Sequence, residues 1–171
     1  MLVASVALSN DPVADEVARL AYDEARTALR EQDATLTSVR NRATALLAAA
    51  VVGTSLSASV GLLNLDAEQG RPFPAWAGWT LLITVVLISA GVMVVLWPTP
   101  TWTFGPSPSR LLASVGEPID AVLEAATTAM VSGVASNARL LDGRVAAYRA
   151  TVIVLALEIS FLVLSLLLAG E

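Results

Sequence analysis

Three side chains in the last apolar stretch have the types and spacing to do chemistry inside a membrane: Thr151, Glu158 and Ser165. They stand seven apart, so on a helix they form one polar line. An ionisable group near the middle of a span costs on the order of 2.5 kcal/mol or more, and it turns toward protein or water rather than lipid. Two arrangements satisfy that demand. In a ring of copies the line encircles a pore, where a ring of carboxyls favours cations. In a single chain, a protonated Glu158 hydrogen-bonds a hydroxyl of an earlier apolar stretch, with Thr54, Ser55, Ser57 and Ser59 as candidates.

Other chemistry is excluded by composition. The chain has no Cys, His or Lys, and its ten basic residues are all Arg. That removes the Ser-His-Asp and Cys-His arrangements, sulfur-based zinc sites, the HExxH metal site, the P-loop lysine and the Schiff-base lysine. Acidic pairs such as Asp23-Glu24, or Asp66 with Glu68, read as solvated helix and loop residues. No catalytic residue, no metal and no cofactor is expected. The net charge of −5 comes with no basic run, so nucleic acid is not an expected partner.

The elements that position the polar line are apolar helices. The 171 residues are 56% hydrophobic, above the share usual in soluble domains. The mean hydropathy is +0.70. Three uncharged or nearly uncharged stretches supply the excess: 43–65, 75–97 and 150–170. A helix of about 23 residues spans roughly 34 Å, enough for the roughly 30 Å hydrocarbon core. The fold class expected is an all-α membrane protein in one structural unit. It has three transmembrane helices, and the first and third carry long cytosolic helical extensions over 1–42 and 98–149.

Ala45, Ala49, Gly53, Ser57 and Gly61 fall four apart and form a stripe of small residues on the first span. Such a stripe lets two backbones approach closely in lipid, either between copies or within the chain. Ahead of it, Leu29, Leu36 and Ala43 repeat every seven, as do Val39 and Leu46, the spacing of a coiled-coil-like seam. Asp11 is placed to cap a helix that opens at Pro12 and runs unbroken through Arg40 and Arg42 into the first span. The opening MLVASVALSN has no positive flank and reads as a flexible or surface-lying N-terminus rather than a cleaved signal.

Trp76 and Trp79 stand at one end of the second span, Trp97 and Trp102 at the other, as interfacial aromatic belts do. Pro98 and Pro100 end that span. A short helix is expected over 110–115. From Pro118 a longer one carries Ile119, Val122, Ala126, Met130, Val134, Leu141, Val145 and Tyr148 at helical spacing. It packs on the N-terminal helix and enters the third span through Arg144 and Arg149.

Arg19, Arg26, Arg30, Arg40 and Arg42 precede the first span, and Arg110, Arg139, Arg144 and Arg149 lie between the second and third. Only Arg71 lies on the other side. The positive-inside rule therefore puts the N-terminus and 98–149 in the cytoplasm and the C-terminus outside a bacterial cytoplasmic membrane. Seven acids against five Arg leave 1–42 at about −2, and four against four leave 98–149 at zero, so a diffuse lipid-binding surface is not favoured.

Tyr22-Asp23-Glu24-Ala25-Arg26, then Leu29, Gln32, Leu36, Val39-Arg40 and Arg42-Ala43 entering a first span, resemble small actinobacterial membrane proteins. Arg40-Asn41-Arg42-Ala43 and the run from Arg139 to Arg149 carry most of the likeness. The order helix, two spans, cytosolic helices, third span resembles SLATT-type and Pycsar-type transmembrane effectors of bacterial anti-phage defence. The resemblance implies an antiviral effector that oligomerises on a nucleotide-derived signal and damages the inner membrane. No cyclic-nucleotide-binding domain is legible beside these helices. The expected function is a non-enzymatic, oligomeric membrane effector that forms or gates a pore. The alternative is an adaptor whose cytosolic helical hairpin docks a partner protein.

Overall fold

A computed structural model describes residues 12–63 and 75–169, with the side chains of 12, 57–63, 75, 77 and 165–169 outside the description. It is all-helical among those residues. Four helices follow in order: α1 Pro12–Leu63, α2 Ala75–Leu96, α3 Pro108–Ala113 and α4 Ile119–Ala169. The expected cap at Asp11 lies outside the described residues, as does the opening decapeptide. From its second residue to Leu63, α1 has no proline to interrupt the hydrogen-bond ladder, so the charged stretch and the apolar one share one helix. Pro98 and Pro100 keep α2 from continuing past Trp97, whose amide still donates to Met93 O at 2.9 Å. Pro108 opens α3 at a position where its missing donor costs nothing. Gly116 takes a φ of +105°, a value that L side chains rarely adopt, in the tight link to α4.

Two compact units divide the chain where one is expected: Met1–Ala34 with Pro100–Arg139, and Thr35–Thr99 with Leu140–Glu171. The division follows composition. Both α1 and α4 change character along their length, so each serves a polar-surfaced unit and then an apolar-surfaced one.

In the first unit, Ala25, Leu29 and Met130 are buried together, with Tyr22 and Val134 against them. Gln32 Nε2 donates to Val134 O at 3.0 Å across this pair of helices. The neighbouring charges, among them Arg19, Asp23, Glu24 and Arg30, are exposed. The loop after α2 is pinned by Asn137. Its Oδ1 accepts from Thr103 N at 3.1 Å and its Nδ2 donates to Thr103 O at 2.8 Å. Gly133 admits this loop: a Cβ there would lie 2.7 Å from Thr103 Cγ2.

In the second unit, Val39, Ala43 and Ala50 of α1 pack with Ile88, Val92 and Val95 of α2, flanked by Val145, Ala147 and Tyr148 of α4. The buried positions keep the seven-residue spacing read in the sequence: Leu36, Ala43 and Ala50 on α1, Ile88 and Val95 on α2. Large apolar side chains point outward instead, including Val52, Leu82, Ile83, Leu87, Ile153 and Leu157.

Among the described residues, two helices are long and apolar enough to cross a membrane: α2 over Gly78–Leu96 and α4 within Ile119–Leu164. Only 17% and 11% of their apolar windows are buried inside the protein, so neither is a core helix wrapped by its own chain. The apolar run 43–65 of α1 is not among them; it extends beyond Leu63, the last described residue of that helix.

Candidate functional site

Polar groups, rather than apolar ones, line most of the inward edge of α4. Met130, Asn137, Arg144, Thr151 and Glu158 follow every seven residues, and all are buried. Seven-residue spacing returns to nearly the same side of a helix, so the sequence itself aligns them. Asn137 belongs to the first unit and holds the Thr103 loop; the other three polar groups belong to the second.

Arg144, 6% exposed, closes the end of α2. Its Nη1 donates to Val95 O at 2.9 Å. Its Nη2 donates to Trp97 O and to Thr99 Oγ1, the latter at 3.0 Å. The last carbonyls of a helix lack partners and carry its negative end, so a cation there is favoured twice over. Burial, and after it the nearby charge of Arg40, lowers the Arg144 pKa from the ordinary arginine value. The Arg40 Nε is sealed from solvent with no hydrogen-bond partner.

Thr151, 4% exposed, donates to Ala147 O at 2.8 Å and lies directly against Gly91 of α2. A Cβ at position 91 would collide with the Thr151 hydroxyl, so glycine is what lets these two helices meet. Glu158, 3% exposed, lies within hydrogen-bonding reach of Thr54, one of the four hydroxyls expected for it. Thr54 also donates to Ala50 O at 2.8 Å. The second carboxyl oxygen of Glu158 is buried without a partner.

Thr151 and Glu158 thus share the inward edge of α4; the side chain of Ser165 is outside the description. Of the small-residue stripe, Ala45 and Ala49 are exposed, and Gly53 has open space where a Cβ would be. Ser57 and Gly61 are outside the description. Arg42 and Arg149 are exposed, Arg40 is half-buried and Arg144 is buried. Trp76, Trp79 and Trp97 are exposed, and Trp76 meets Phe161 edge-on at 5.5 Å. Trp102 differs from its expected place in an aromatic belt. It is 8% exposed, inside the first unit, with its indole N–H unpartnered. The reason is local: Asn137 ties down the next residue, Thr103, and draws the ring inward.

Sequence reasoning passed over Asn137 and took Arg144 only as a membrane-entry residue, because a search for apolar periodicity skips polar residues. The signal was present: stepping back from Thr151 by seven reaches Arg144, then Asn137. Among the described residues, no group of three or more acidic side chains is placed to hold a metal ion. No family model, no curated protein and no solved structure matches the chain. The class that the fold defines is an all-α protein with, among the described residues, two helices long and apolar enough to cross a membrane.

Proposed function

We propose that the chain is a non-enzymatic effector of the bacterial cytoplasmic membrane, whose polar line on α4 opens a pore when copies assemble. In this reading 43–65, 75–97 and 150–170 all span, the N-terminus and 98–149 are cytoplasmic, and the C-terminus is outside. The observation that carries it is the carboxyl of Glu158, buried among helices whose outer faces are apolar, with one oxygen unpartnered. A simple anchor gains nothing from an ionisable group at that depth, whereas a conduit or switch does. In the closed form Thr151 and Glu158 are turned inward. A cytosolic protein or nucleotide signal acting on the first unit rotates α4, which runs through both units without a break. Thr151 and Glu158 then face a shared axis, and the exposed Ala45–Ala49 face supports self-association between copies.

The experiment is dye and ion leak from liposomes carrying the purified chain, with oligomer mass measured in detergent. The reading expects rings of four or more, and a leak that Glu158→Leu abolishes without dispersing the rings. An adaptor is the second reading. It is favoured by the exposed apolar edge Val13, Val17 and Leu20. It expects a monomer or dimer and tight liposomes.

A further inference from the structure

Arg144 donates to three oxygens at the end of α2, and the negative end of that helix answers its charge. Arg40 has no such answer. Its guanidinium makes no hydrogen bond or ion pair among the described residues, and its Nε is closed off from water. The described part of this unit holds two acids, Asp142 and Glu158. Asp142 is exposed, two positions from Arg144 and therefore on another side of α4. Glu158 stands fourteen residues beyond Arg144, roughly 21 Å along the helix at about 1.5 Å per residue. A half-buried guanidinium beside a second one, with no carboxylate in reach, is a costly arrangement until an anion completes it.

We propose that Arg40 binds a phosphate oxyanion. The two Nη groups of the planar guanidinium match two oxygens of one phosphate, which a point charge does not, and the sealed Nε takes no part. Two sources share this chemistry: the headgroup of an anionic lipid and free phosphate in solution. Trp97, 63% exposed, follows α2 by one residue, and its carbonyl is among those held by Arg144. Tryptophan favours headgroup depth, so the lipid is the source in better register. This is a local site, unlike the diffuse surface that the net charge disfavours. It rests on the reading that the second unit spans a bilayer.

The test uses the full chain in detergent, with phosphatidylglycerol or inorganic phosphate as ligand, followed by native mass spectrometry and thermal melting. The wild type should retain one phosphatidylglycerol per copy and melt higher with it. Arg40→Gln should bind roughly tenfold more weakly, the loss of one charge-assisted hydrogen bond. Arg40→Lys should fall between, and Arg42→Gln should match the wild type. A response to phosphatidylglycerol alone assigns the lipid source. A response to inorganic phosphate alone, lost in Arg40→Gln, assigns the free anion and keeps the site. Equal binding by Arg40→Gln, or no response of the wild type to either ligand, overturns the proposal. Should Arg40→Gln fail to fold, Arg40→Lys read against Arg42→Gln carries the comparison, and equal binding by those two overturns the proposal. Alkaline carbonate extraction separates the two readings. A chain washed from membranes defeats the bilayer reading, whereas one that stays inserted but binds neither ligand defeats only the Arg40 site.

Discussion

The two units of this protein solve burial in opposite ways. In the first, Ala25, Leu29 and Met130 are hidden and Arg19, Asp23, Glu24 and Arg30 face out, as water requires. In the second, Arg144, Thr151 and Glu158 are among the hidden groups, and Leu82, Ile83, Leu87 and Ile153 face out. Water penalises the second arrangement, whereas lipid has no reason to expel an outward leucine. The contrast teaches that α1 and α4 each change from a polar-surfaced stretch to an apolar-surfaced one without a break in the helix.

The contrast is open to attack from either side. The largest effect belongs to the first unit's apolar core. Leu29→Ala should cost about 4 kcal/mol in thermal or denaturant unfolding, as cavity-forming changes at fully buried leucines do. A loss below about 1 kcal/mol would mean that this core does not organise the unit. Next comes the outer face of the second unit. Leu87→Arg should cost about 3 kcal/mol of insertion, read as the inserted fraction in a translocon assay. Were that face in water, the same change would cost under about 0.5 kcal/mol.

Smaller and more specific is the helix approach at Gly91. Gly91→Ala should destabilise by about 2 kcal/mol in detergent, because the new methyl meets Thr151. Adding Thr151→Ala should recover most of that loss, and simple additivity of the two changes would deny the close approach. Smallest is Arg26→Ala on the exposed face of α1. It should change stability by less than about 0.5 kcal/mol, and a larger loss would reveal a partner for that face.

Much of this was legible in the chain. Leu29, Leu36 and Ala43, with Val39, announced the buried edge of α1 by their spacing. Pro98, Pro100 and Pro118 bracketed the helices because an imide cannot continue the ladder. The polar line was visible only in its outer part, since Thr151 and Glu158 stand in apolar surroundings whereas Arg144 and Asn137 stand among other polar residues. Their role depends on what a neighbouring segment offers: the open carbonyls at the end of α2 for Arg144, and the Thr103 backbone for Asn137. No pattern along one helix encodes that. Trp102 misled for the same reason: its position after two prolines reads as an interface, and only the Asn137–Thr103 pairing turns it inward. The division into two units was present in composition but hidden in periodicity, which does not change where α1 passes from a polar to an apolar stretch.

The central claim is that the outer face of the second unit meets lipid while that of the first meets water. A chain with no native cysteine allows single spin labels to be placed at will. Labels at Ile83 and Leu87, and others at Asp23 and Arg30, would be relaxed in proteoliposomes by oxygen, which concentrates in lipid, or by a water-soluble nickel chelate. The account predicts oxygen-dominated relaxation at the first pair and nickel-dominated relaxation at the second. Nickel-dominated relaxation at all four positions would contradict it.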